Sequence, residues 1–261
     1  MATPIKGRRV KLARSRVNIC DFLYFARGTP ACVQSREINV APVIAVRDAS
    51  PVRISWPTLF IRSLMIVSSR WPFLRQCYMR WPWAHIYEAD HAVAMITVQR
   101  ELRGEQWVFF GRLKPPETDS LEAIEAAITG FRTGPADQTF KVQYGQSGLP
   151  LLIRRAMIGI AYYLDANRRV RHFGTFGLTT VGSRGSTVEL SPLLTSAAFT
   201  YGPIDESGNC KLTVVYDHRL IDGAAIADIL ADVERALRGK VCDELVALAS
   251  APPVRNREIG V

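Results

Sequence analysis

Apolar residues along the chain recur at helical spacing in some stretches and at strand spacing in others. Val17, Cys20, Leu23 and Tyr24 form a helical stripe, which predicts a helix over about 14–27, ended by Gly28 and Pro30. Residues 37–47 read as a strand interrupted by proline. Ser55 followed by Pro57 opens a helix through TLFIRSLMIVSSR that is apolar on most sides, hence largely buried, and Pro72 breaks it. The Trp-, Pro- and Arg-rich stretch 70–87 predicts a short helix and an irregular connection. Strands over 92–101 and 106–113 flank a turn containing Gly104. Asp119-Ser-Leu-Glu122 reads as a capping-box variant opening a helix with Leu121, Ile124, Ile128 and Phe131 on one face. Residues 149–164 are apolar apart from Arg154 and Arg155, which fits a buried or interfacial helix. Short strands follow near 173–181, 196–202 and 210–217. A last helix covers about 223–238, with Ile226, Ile229, Leu230, Val233 and Leu237 on one side and Gly239 as its stop.

Strands and helices intermix without an internal repeat, so the expected class is α+β in one domain spanning 1–248, with 249–261 as a loose polar tail. The 261 residues, 48% apolar and 22% charged, suffice for a sizeable core and exclude a disordered chain. No apolar run reaches the ~18 residues of a spanning helix, and no apolar stretch follows the basic N-terminus as in a signal peptide. The expected location is cytoplasmic. The five cysteines (Cys20, Cys32, Cys77, Cys210 and Cys242) are scattered, with no CxxC and no zinc-ligand spacing, so reduced thiols and no metal are expected.

The net charge of +9 comes mostly from arginine. It suits anionic substrates such as nucleotide-bearing thioesters or an anionic lipid surface, and equally serves plain solubility. Nucleic acid is a weaker partner, because charge is its only support and no reader motif is present.

The segment Tyr216-Asp217-His218-Arg219-Leu220-Ile221-Asp222-Gly223-Ala224 stands out chemically. A strand delivers His218 to its end and a helix begins after Asp222, the kind of loop on a rigid frame that holds catalytic groups. Singly, these residues are a loop histidine, an N-cap and a turn. Together they offer a neutral imidazole, whose ordinary pKa of about 6.5 suits removal of a proton from an attacking nucleophile at neutral pH. His85, His91 and His172 have no motif around them and are expected to be structural or exposed.

The string YDHRLIDGA resembles the active-site signature DHRxxDGA of the 2-oxo acid dehydrogenase E2 acyltransferases, whose HxxxDG core is shared by chloramphenicol acetyltransferases. HFGTFGLTTVGSRG resembles the E2 strand GTFTISNLG and puts Thr179 at that family's active-site hydroxyl, with Thr180 facing the other way. VKLARSRVNICDFL resembles the E2 opening and puts Arg16 where the fold carries the arginine that pairs with the motif's aspartate, here Asp222. The resemblance is strong over 172–238 and weak over 28–150.

It implies the chloramphenicol-acetyltransferase-like fold, a two-layer mixed sheet with helices on one side. It implies a homotrimer whose sites lie between subunits, and acyl transfer without an acyl-enzyme. His218 would be the general base, Thr179 would stabilise the oxyanion, and a buried Asp222–Arg16 pair would position the loop. No covalent cofactor is implied; acyl-CoA or a lipoyl thioester serves as co-substrate.

The chain also departs from E2. It has no Asp-Lys pair to carry lipoate, and no subunit-binding domain or long linker is seen, so the expectation is not a self-contained E2. The acyl group would arrive on CoA, on a carrier protein or on another chain's lipoyl domain. Where E2 has a charged helix, LPLLIRRAMIGIAYYL stands here, as an apolar wall for a long acyl chain, a membrane-docking face, or core or trimer packing. Trp71, Trp81 and Trp83 are read as core or interface packing. The competing functions are an inactive E2-like trimeric scaffold and a membrane-associated assembly protein. The polar tail leads us to expect an isolated trimer rather than a cage.

Overall fold

The computed structural model of the chain describes residues 7–179 and 185–250. Its strands are β1 (Ala31–Asn39), β2 (Gln76–Met79), β3 (His85–Glu88), β4 (Ala94–Leu102), β5 (Glu105–Leu113), β6 (Phe176–Thr179), β7 (Ala197–Ile204) and β8 (Asn209–Asp217). Six of them make one mixed sheet in the order β1-β8-β7-β6-β4-β5, while β2 and β3 form a separate hairpin. β6 lies parallel to both β4 and β7; the other neighbours are antiparallel.

Because side chains alternate along a strand, the sheet has two distinct faces. Ile38, Ile96, Phe109, Phe176, Phe199 and Val214 point to the face covered by α3 (Trp56–Arg70), α4 (Leu121–Thr133) and α9 (Gly223–Ala236), which is the main core. Phe60 on α3 stacks on Tyr201 of β7 with ring centroids 4.2 Å apart. Each large apolar side chain sealed here stabilises the fold by about 1.5–3 kcal/mol before entropy is counted.

The second face carries Met95, Phe110, Gly177 and Thr179. Here α1 (Arg14–Ala26) crosses the sheet. It begins at the β5 edge, where the Ser15 N–H donates to Glu105 (2.7 Å). Phe22 stacks on Phe110 at 5.1 Å. The chain leaves through Pro30 into β1 at the opposite edge. This is the α+β, two-layer mixed-sheet architecture expected, with α1 added on the second face.

At the β5 edge, one side chain occupies the backbone of Phe110. Gln143 on α6 (Lys141–Gln146), which follows the short α5 (Ala136–Thr139), donates to the Phe110 carbonyl at 2.7 Å and accepts from the Phe110 N–H at 3.0 Å.

Several elements differ from the sequence expectation. The strand expected over 37–47 splits, because β1 stops at Asn39 and α2 (Ala41–Ala49) begins there. Pro42 sits in the first helical turn, where its missing N–H costs nothing, and Val43 turns into the core. The β7–β8 turn rests on the start of α2. Gly208 has φ +79°, and a Cβ there would lie 2.6 Å from the Ala41 nitrogen. The stretch 70–87 is a 3₁₀ turn (Pro72–Arg75) followed by the β2–β3 hairpin, strands too short to show a period in sequence. The expected β4–β5 turn forms with Arg103 and Gly104 at φ +55° and +75°, both in the region a two-residue hairpin turn needs. Helix α4 is capped by Ser120, not Asp119; its Oγ accepts from the Ala123 N–H at 3.2 Å. Gly239 does not end the last helix. A π turn (Leu237–Val241) leads into α10 (Cys242–Ser250), and the wider turn keeps Leu237, Val241 and Leu245 facing the core.

Residues 149–164 are only partly buried within the chain: Ala161 and Tyr162 are inside, while much of the apolar remainder is exposed. They form α7 (Leu151–Gly159) and a π turn (Ile160–Leu164) leading to α8 (Ala166–Phe173). Leu152 is 81% exposed, and Ile153, Met157 and Leu164 are exposed beside it. Arg154 goes inward instead. It and Arg155 pair with Asp21, which is 1% exposed on α1. Trp71 is partly buried and donates to Asp232 at 2.8 Å, whereas Trp81 and Trp83 are exposed rather than packed in the core. Among the described residues no helix is long and apolar enough to cross a membrane. The five cysteines are all free thiols. Thr180 and tail residues 251–261 lie outside the described residues.

Candidate active site

β8 runs into a tight loop at Asp217 that presents His218. The loop is anchored twice by backbone: the Asp217 N–H donates to Ser196 O (3.0 Å) and the His218 N–H to Pro30 O (3.2 Å). It is anchored again by an ion pair that spans the histidine. Arg219 Nε and Nη2 meet the two oxygens of Asp217 at 2.8 and 2.6 Å, and the Arg219 N–H adds a third bond at 3.1 Å. Asp217 is 1% exposed, so its charge needs this partner.

The guanidinium of Arg219 lies 4.1 Å above the Tyr78 ring on β2, and the Tyr78 carbonyl accepts from Arg169 Nη1 on α8 at 2.6 Å. Arg169 is itself buried, over the Tyr162 ring at 4.0 Å, and its Nη2 donates to Leu194 O at 3.1 Å. Residues from β2, α8 and β8 therefore hold the loop in series. Asp217 and Arg219 flank the histidine in the DHR string, but sequence reasoning did not single them out. Nothing local signals Tyr78 or Arg169.

The imidazole is exposed, with 45% of its side chain accessible, and its ring sits edge-on to Tyr216 at 5.7 Å. Burial pushes the Tyr216 phenol up, with the neighbouring Cys32 and Asp222 adding to the shift. His218 Nδ1 lies 3.0 Å from the carbonyl of Ile221. A carbonyl only accepts, so this contact puts a hydrogen on Nδ1, and in the neutral ring the lone pair is then on Nε2.

Asp222 and Arg16 do not form the expected buried pair. The Asp222 side chain is 89% exposed, with His218 Nδ1 at 3.5 Å, and it stands at the N-cap of α9 without a side-chain capping bond. Arg16 is exposed and makes no ion pair among the described residues. The reason is topological. The start of α1 is tied to β5, four strands away from β8, about 19 Å at the usual strand spacing.

Thr179 closes β6 on the second face and is half-buried, and its Oγ1 accepts from Thr97 Oγ1 at 3.3 Å. That leaves the Thr179 hydroxyl hydrogen free to donate elsewhere. Its in-register neighbours are Thr200 on β7 and, through it, Thr213 on β8. His218 lies about five residues beyond Thr213 and two strands across, so the two groups are roughly 19 Å apart in one chain.

A cavity of about 390 Å³ lies elsewhere, on the second face beneath α1. The stacked Phe22 and Phe110 line one part of it, with Phe25, Met95, Met157 and Ile158 around the rest. Arg112, Arg168 and His172 border it; neither His218 nor Thr179 does. His91 and His172 are both exposed, as expected, His172 at the border of this cavity, and His85 Nδ1 lies 2.8 Å from the Trp83 carbonyl. No group of three or more His, Cys, Asp or Glu able to hold a metal occurs among the described residues.

No family model matches the chain, and no curated protein matches it either. Solved structures do match. A probable dihydrolipoamide acetyltransferase from Listeria monocytogenes is 15% identical, with a TM-score of 0.63 over 90% of this chain and 95% of that one. A truncated catalytic core of the 2-oxoacid dehydrogenase multienzyme complex from Thermoplasma acidophilum is 18% identical, with a TM-score of 0.64 over 89% and 99%. The dihydrolipoamide acetyltransferase of Azotobacter vinelandii is 12% identical, with a TM-score of 0.64 over 92% and 97%. The chain thus has the fold of the E2 catalytic cores, as the resemblance implied.

Proposed function

We propose that the protein is an acyltransferase that moves an acyl group from a thioester to a thiol, hydroxyl or amine, with His218 as general base. The observation that carries this reading is the 3.0 Å contact of His218 Nδ1 with the Ile221 carbonyl, on a loop fixed by Asp217 and Arg219. It leaves Nε2 as the basic atom at the tip of a rigid support. The E2-like fold supports acyl transfer as the reaction class.

In the proposed step, the acceptor's proton passes to Nε2 while its heteroatom bonds to the thioester carbonyl carbon. The C–O π electrons move to oxygen, and this oxyanion takes a hydrogen bond from the Thr179 hydroxyl, worth about 3 kcal/mol if it matches a single oxyanion-hole donor. Collapse reforms the carbonyl and breaks the C–S bond, and the leaving thiolate takes the proton back from the imidazolium. Acyl-CoA, an acyl carrier or a lipoyl group supplied in trans is the donor, and no covalent cofactor takes part.

The separation of His218 and Thr179 within one chain requires a second copy for this chemistry. A homotrimer with each site between neighbours supplies it, and the exposed apolar side of α7 is compatible with such packing. The test is thioester cleavage that depends on an acceptor, compared between the wild type and His218→Ala. An unchanged rate in the variant would end the proposal.

One observation favours the second reading, an inactive scaffold of the same fold. Asp222 is solvent-exposed and the Arg16 pair is not made, so one element of the family's site is missing from the chain. A stable oligomer with no turnover on a broad thioester panel would support it. Membrane attachment through Trp81, Trp83 and Leu152, 60%, 71% and 81% exposed, is separated from both by liposome co-sedimentation.

A further inference from the structure

The cavity beneath α1 has an apolar body and a cationic end. Met95 and Arg112 are register partners on β4 and β5, so an apolar lining residue and the first guanidinium are side by side. Two polar side chains in the lining are already engaged. Gln143 is spent on the Phe110 backbone, and Asn18 Nδ2 donates to the Gln143 carbonyl at 3.0 Å.

The cations are not all neutralised. Arg112 is half-buried, and its one hydrogen bond goes to the His172 carbonyl at 3.1 Å; it makes no ion pair among the described residues. Arg168 has Asp165 at 3.2 Å. Arg171 on α8 is exposed and also makes no ion pair among the described residues. Of the cationic groups that border the cavity, Arg168 is paired with Asp165, and Arg112 has no carboxylate partner among the described residues. Burial holds the Arg112 guanidinium below its ordinary range. Burial, and then Arg112, Arg171 and Arg168, hold His172 below its own, against the opposing charge of Asp165. A half-buried guanidinium at the edge of an apolar cavity, without a carboxylate partner among the described residues, is complementary to an anion.

We propose that this cavity binds a linear aliphatic carboxylate, its chain lying alongside the stacked Phe22–Phe110 pair and against Phe25 and Met95, with its carboxylate meeting Arg112. Taking a methylene as comparable to the ~30 Å³ of a water molecule, 390 Å³ accommodates roughly ten carbons. The apolar face of α7, through Met157 and Ile158, then serves as one wall of a ligand site. The inference does not depend on the acyl-transfer reading, because neither His218 nor Thr179 borders the cavity.

The test is calorimetric titration of the full-length protein with decanoate, decyl phosphate and decanol. Decanoate is expected to bind once per chain and at least ~10-fold tighter than decanol. Arg112→Gln should remove that advantage while leaving decanol unchanged, and Ala161→Phe, which fills the cavity, should weaken both. Decanoate should bind more tightly at pH 6 than at pH 8, because the arriving carboxylate favours protonated His172. His218→Ala should bind decanoate as the wild type does.

No saturable decanoate binding, several molecules per chain, or equal affinity for decanol with Arg112→Gln indifferent would overturn the proposal. A clear preference for decyl phosphate would overturn the carboxylate assignment. Loss of binding in His218→Ala would overturn the site's independence from the His218 loop.

Discussion

Arg219 and Asp217 reach around His218 to close on each other, with guanidinium nitrogens 2.8 and 2.6 Å from the two carboxylate oxygens. The pair is unequal, since Asp217 is 1% exposed while Arg219 keeps 29% of its side chain in solvent. Removing the arginine leaves a buried carboxylate without its cation, so Arg219→Met should destabilise the fold by about 3 kcal/mol. If His218 is the base, the same change should lower kcat more than it raises KM. Denaturant melts and steady-state kinetics read the two effects separately.

Arg16 offers the contrasting case. With no ion pair within the chain and Asp222 89% exposed, Arg16→Ala should change stability by less than about 0.5 kcal/mol. A loss of several kcal/mol in chemical denaturation would mean that the pair forms between copies in the assembly.

Mixing inactive variants tests the between-subunit arrangement directly. His218→Ala and Thr179→Ala homo-oligomers should each be nearly inactive. Randomly reassorted mixtures should regain about a quarter of wild-type activity, because some interfaces then unite an intact histidine with an intact threonine. No recovery after verified subunit exchange would exclude a shared site.

His172 makes a pH prediction. Its pKa in the fold lies below the unfolded value of 6.5, owing to burial and to Arg112, Arg171 and Arg168, with Asp165 opposing. Between the two values the unfolded chain binds more protons, so stability falls as pH drops below about 6.5 and is unaffected by this group well above it. His172→Gln should flatten that part of the melting-temperature profile between pH 7 and 5. An unchanged slope would show that the ring's environment is not the one described.

Thiol reactivity checks the core. Burial pushes Cys210 up to about 11 and raises Cys77 and Cys242 as well, while Cys20 is exposed. Alkylation at pH 8 followed by peptide mapping should find Cys20 modified first, with Cys77, Cys210 and Cys242 protected until denaturant is added.

What the sequence revealed depended on how local each signal was. Helix α3, the β4–β5 hairpin and the apolar side of α9 carry their periods over many residues, and they formed as expected. Strands β2 and β3, four residues each, carry none. Thr179 and His218 were found because each sits in a contiguous string. Arg169, Tyr78 and Arg219 meet only after folding, from three separate elements. The Arg16–Asp222 expectation failed for a similar reason. Position in a motif does not encode that Ser15 and Glu105 tie the start of α1 to the far edge of the sheet.

The Gln143 amide has a consequence for solubility. By satisfying both the N–H and the C=O of Phe110, it takes the hydrogen-bonding sites that a strand from another molecule would need there. One side chain thus acts as a stopper against runaway strand addition. Gln143→Ala should reopen that one position to a strand from another molecule and raise light scattering on storage, with the folded core intact.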